Sequence, residues 1–166
     1  MMPAPVRRGG LFVCLSPAYP LPMSKRMDVR SSGAGWNYLV QDGEEFLGPF
    51  PSLASAFRAV LDRGGRVHLE WSRTVIAGAS RPKDFSAKFE GEEAGRIYTE
   101  ISGMSEGLWK AFPGGHNQET GRQGGGTQLV DTRDEAVAFI ERRFTELMAG
   151  VEPKPVPNAY AKAKGG

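Results

Sequence analysis

The sequence predicts an α+β fold, a mostly antiparallel sheet of six to eight short strands with two helices on one face. Three observations carry this expectation. Short segments with alternating apolar residues recur between glycine-bearing turn signals, as strands of a half-buried sheet do. Two longer segments carry apolar residues at helical spacing behind a Ser or Thr cap. No run approaches 18 apolar residues, so no membrane-spanning helix is expected.

In chain order, Trp36–Val40 suits a strand, Asp42-Gly43 a two-residue turn and Glu45–Phe50 the return strand. Ser52 then caps a helix over about 53–63, with Leu53, Ala56, Phe57, Val60 and Leu61 on one stripe, stopped by Gly64-Gly65. Arg66–Trp71 alternates: Val67, Leu69 and Trp71 share one face, Arg66, His68 and Glu70 the other. Thr74–Ile76 continues as a strand, and Gly78 to Asp84 reads as turn-rich. Strands over 85–89, 95–101 and 108–112 follow, separated by turns at Gly91–Gly95 and Gly103–Gly107. Residues 113–126 are polar and glycine-dense and are expected as a mobile loop, after which Thr127–Val130 rejoins the sheet. Thr132-Arg-Asp-Glu135 is a capping box that opens the clearest helix, with Ala136, Val137, Ile140, Phe144, Leu147 and Met148 as its buried stripe and Gly150 as its stop.

Trp36 with two strands and the Ser52 helix echoes Trp109 with two strands and the Thr132 helix, and Ala56 and Ala136 each lie four residues after their cap. Two ββα-type units sharing one core are one way to build this fold. The expected organisation is a disordered extension over 1–35, a single α+β domain over 36–150, and a disordered tail with proline and lysine over 151–166. Met23, opening Met-Ser-Lys-Arg, is an alternative start. The short apolar run at 11–15 falls below the length of a signal-peptide core, so a cytoplasmic location is expected.

The formal net charge of +2 conceals a division: residues 36–150 hold 13 basic and 17 acidic residues, and the positive excess lies at the two ends. A nucleic-acid reader carries its basic patch on the folded domain, so this balance disfavours nucleic acid as the partner. A single cysteine, Cys14, excludes an intramolecular disulfide and multi-cysteine zinc motifs.

Catalytic motifs fail on their context. Gly103-Met-Ser105-Glu-Gly107 matches a nucleophile pattern, but a strand follows where a helix is required. Gly121–Gly126 lacks the Gly-Lys-Ser/Thr ending of a phosphate loop and leads into a strand. His68 and Glu70 share a strand face, a pair expected to be solvated. No catalytic, metal-binding or cofactor-binding residue is expected. Candidate interaction residues are His116, Asn117 and Arg122 in the glycine-rich loop, with Trp36, Trp71 and Trp109 as an aromatic set that serves either as core or as a binding face.

The runs Lys88–Tyr98, Gly107–Phe112 and Thr132–Ala136 resemble segments of small bacterial and phage-borne sheet-plus-helix proteins over about residues 85–148. That resemblance implies a sheet-plus-helix fold and no activity. A looser one is to the three-strand-plus-helix arm-binding modules of tyrosine recombinases, which read DNA with the sheet; no functional residue carries over from either. The function expected is that of a non-enzymatic accessory protein that binds another protein, an inhibitor or regulator being one form. The alternative is a nucleic-acid-binding protein using an aromatic sheet face and basic tails.

Overall fold

The computed structural model describes residues 24–33, 37–101, 103–104 and 106–155. Among these described residues, nine strands and two helices follow in the order β1 (Arg26–Ser31), β2 (Tyr38–Asp42), β3 (Glu45–Phe50), α1 (Leu53–Asp62), β4 (Arg66–Val67), β5 (Glu70–Ile76), β6 (Ala79–Phe89), β7 (Glu92–Thr99), β8 (Trp109–Pro113), β9 (Gln128–Val130) and α2 (Arg133–Ala149). The α+β class is as expected. The strands form two sheets rather than one, ordered β3-β2-β1-β4 and β5-β6-β7-β8-β9. All pairings are antiparallel except β1 with β4.

Strand β1 corrects the expectation that residues 1–35 are a disordered extension. Met27 and Val29 are buried, and the strand lies inside its sheet between β2 and β4. The short strand β4 is held on both sides. His68 N donates to Met27 O at 2.8 Å on the β1 side, while Val67 N donates to Thr145 Oγ1 of α2 at 2.9 Å.

Two-residue turns build the β5–β6 and β6–β7 hairpins. Ala77-Gly78 and Glu90-Gly91 all have positive φ, from 50° to 86°, as a type I′ turn requires. The segment expected as turn-rich between Gly78 and Asp84 is instead the first half of an eleven-residue strand. Pro82 is tolerated there because β7 pairs with β6 only from Asp84 onward and the β5 register shifts opposite, between Arg73 and Val75.

Both helix starts match their caps. Ser52 accepts from Ser55 N and Thr132 accepts from Glu135 N, each within a capping box. Gly150 ends α2 in the left-handed conformation. The core joins the two halves through Phe57 of α1, Phe89 of β6 and Phe144 of α2, whose rings lie 5.4–5.8 Å apart and pack edge-on or tilted.

Two further expectations change. Residues 113–126 form a hydrogen-bonded structure rather than a mobile loop. Asn117 is buried; its Nδ2 donates to Leu147 O at 2.8 Å, and its Oδ1 accepts from the amides of Glu119 and Thr120 at 2.9 and 3.2 Å. Gly124 fits because its backbone packs directly on Gly114, where a side chain would overlap the carbonyl. The beginning of the expected tail is also tied down: Val151 N donates to Glu146 O and the Val151 side chain packs on the core. Residues 156–166, Cys14 and Met23 lie outside the described residues.

Candidate functional site

The six residues expected to interact do not converge. Trp36 lies outside the described residues. Trp71 and Trp109 are half-buried and face the helices. The Trp71 indole Nε1 donates to Glu141 Oε1 at 3.1 Å, and Trp109 stacks on Phe85 with centroids 6.4 Å apart. His116 is exposed and bridges to Gln123. Asn117 serves the loop it lies in. Arg122 Nη1 donates to Val151 O at 3.2 Å and meets Glu152 at 3.5 Å, so it fixes the chain leaving α2.

Arg66 is a further correction. Expected on a solvent face, it is buried and donates to Glu141 Oε2 at 2.7 Å. Glu141, fully buried on α2, also accepts from Arg26 at 3.0 and 2.5 Å and from Leu69 N at 3.3 Å. This carboxylate therefore ties β1, β4 and β5 to α2. Its acceptor positions are all in use, which makes it a structural hub rather than a reactive group. His68 pairs with Asp28 at 3.1 Å rather than with Glu70, and both partners are about half exposed. Among the described residues no group of three or more His, Cys, Asp or Glu is placed to hold a metal ion.

The pleat of the five-stranded sheet separates two faces of different character. Its inner face presents Trp71, Phe85, Ala87, Ile97, Ala111 and Trp109 toward the helices. Among the described residues no helix covers the opposite face, which carries an aromatic pair. Tyr98 of β7 stacks on Phe112 of β8, centroids 5.3 Å apart and planes 22° apart. Arg96 lies over the Tyr98 ring at 5.3 Å and Lys110 over the Phe112 ring at 5.6 Å. Each cation is already engaged. Arg96 donates to both oxygens of Asp84, at 2.9 and 2.6 Å, and Lys110 meets Glu100 at 3.6 Å. The Arg96 guanidinium, helped by the Thr74 hydroxyl, holds the buried Asp84 carboxyl below its ordinary range, so the pair stays ionised at neutral pH.

On the helix side, a groove of about 710 Å³ runs along His68–Arg73 toward the first turn of α2. Trp71, Phe85, Ile97 and Val137 give it an apolar lining. Two guanidiniums flank one of these rings: Arg73 at 5.9 Å and Arg133 at 5.3 Å from the Phe85 centroid.

Among the described residues no helix is long and apolar enough to cross a membrane. No family model, curated protein or solved structure matches the chain, so the reading of these surfaces rests on their own chemistry.

Proposed function

We propose that this is a non-enzymatic accessory protein that acts by binding another protein through the open face of its five-stranded sheet. One observation carries the reading: the stacked Tyr98–Phe112 pair is bordered by cations that already have carboxylate partners. A sheet that stacks bases needs free cations for the phosphates, because these contacts supply most of the non-specific affinity. Here a phosphate would have to displace Asp84 from a two-pronged contact with Arg96. An aromatic centre with a charge-balanced polar rim is instead the composition of protein–protein contact surfaces, in which aromatic residues and Arg carry most of the binding energy.

The test is a pull-down from the native cell lysate after nuclease treatment, using wild type and the double variant Tyr98→Ser, Phe112→Ser. A stoichiometric protein partner held by wild type and lost by the variant supports the reading. Because both rings lie outside the core, the variant should melt within a few degrees of wild type. Partners that disappear with nuclease would transfer the case to nucleic acid, and a partner retained by the variant would remove this face from the argument.

A further inference from the structure

We infer that the groove beside β5 is a second binding site, which takes an acidic segment of a partner protein in extended conformation along the outer edge of that strand. Strand β5 is terminal in its sheet, and no sixth strand pairs with it among the described residues. Glu70–Arg73 of β5 line the groove, which opens at that strand and continues past Phe85 and Ile97 of the neighbouring strands toward the first turn of α2. An unpaired strand edge offers main-chain donors and acceptors to an added strand, and flanking side chains then select the sequence.

The selecting groups here are cationic. Eight of the described arginines meet a carboxylate within 4.0 Å: Arg26, Arg30, Arg63, Arg66, Arg96, Arg122, Arg142 and Arg143. Of the other four, Arg58, Arg73, Arg81 and Arg133, which have no such partner among the described residues, Arg73 and Arg133 line the groove, beside Glu70 and Asp134. Both guanidiniums instead lie beside Phe85; Arg73 Nη1 donates to Pro82 O at 3.4 Å, and with five N–H donors on each guanidinium, donors remain for a carboxylate. In an extended segment, residues i and i+2 project to the same side about 7 Å apart. Alternate acidic side chains can therefore reach two cations flanking a single ring, while the residues between them project to the opposite side of the added strand. Farther along β5, Val75 and Ile76 are 63% and 41% exposed. This site lies on the other side of the sheet from Tyr98 and Phe112, and it stands or falls independently of them.

The experiment is a titration of ¹⁵N-labelled full-length protein with the blocked peptide acetyl-Val-Glu-Val-Glu-Val-Glu-amide, beside its counterpart with lysine in place of glutamate. Saturable shifts of the amides of residues 70–76 with the acidic peptide alone are expected. The variant Arg73→Gln, Arg133→Gln should bind at least tenfold more weakly, with the rest of its spectrum unchanged. The charge-reversed variant Arg73→Glu, Arg133→Glu should prefer the lysine peptide, which keeps the inference open to refutation if the first variant is misfolded. Absence of saturable shifts, equal binding of both peptides, or shifts on the open face overturns the proposal. So does a shift of residues 70–76 with protein concentration alone, which would make a second copy of the chain the occupant.

Discussion

Strands β1–β3 leading into α1, and strands β7–β9 leading into α2, are two versions of one arrangement: three antiparallel strands in sequence, then a helix opened by a capping box. In the first version the helix is a lid. It has ten residues and buries one stripe, Ala56, Phe57 and Val60. In the second the helix has seventeen residues and is enclosed on several sides, so that Glu141, Thr145 and Glu146 are buried along with the apolar stripe. The difference shows how a repeated local plan acquires separate roles. One helix covers its own sheet, whereas the other holds both halves together: Arg26 and Arg66 donate to Glu141 and Val67 N to Thr145, while Glu146 is met by Arg142 and Arg143 of α2 itself.

The largest test of that division is Glu141→Ala. It leaves the Arg66 guanidinium buried without its carboxylate, and losing one partner of a buried ion pair costs about 3–5 kcal/mol. Chemical denaturation should report a loss of that size, with the two halves unfolding together. A loss below about 1 kcal/mol would show that α2 does not depend on this connection. Asn117→Ala comes next. The Leu147 carbonyl and the amides of Glu119 and Thr120 lose their partner, for a cost of about 1–3 kcal/mol. Hydrogen exchange should rise in residues 115–124 and at the end of α2, while α1 is unchanged. The smallest effects come from the caps. Ser52→Ala and Thr132→Ala should each cost about 1 kcal/mol. An unchanged melting temperature in either would break the equivalence of the two helix starts.

Local signals were legible in the sequence. Both caps, the glycine stops and most of the strands of the second sheet follow from spacings within a few residues. Strand β1 carried such a signal too, with Met27 and Val29 alternating against Arg26, Asp28 and Arg30, but its basic neighbourhood reads as a solvated extension. The first half of β6 was obscured by Pro82, whose acceptability depends on where β7 stops pairing. Features that depend on distant partners were not legible. Arg66 occupies an ordinary solvent-facing position of an alternating strand, and its burial follows only from Glu141, 75 residues away. The same holds for the groove, where Arg73, Phe85 and Arg133 meet from three elements. The tryptophans were legible as aromatic weight but not as to side, because the position of α2 decides which face of the sheet remains open.

The place of β1 also bears on how this chain can be shortened. Its parallel partner β4 is synthesised only after α1, so the four-stranded sheet cannot close until about forty residues beyond β1 have emerged. A protein trimmed to begin at residue 36, where composition alone would set the boundary, loses an interior strand rather than a tail. Strands β2 and β4 would then each present a bare edge, and bare edges recruit other chains. For expression, crystallisation or fusion, the useful N-terminal limit lies ahead of Ser24, whose carbonyl and hydroxyl both receive the Arg66 guanidinium.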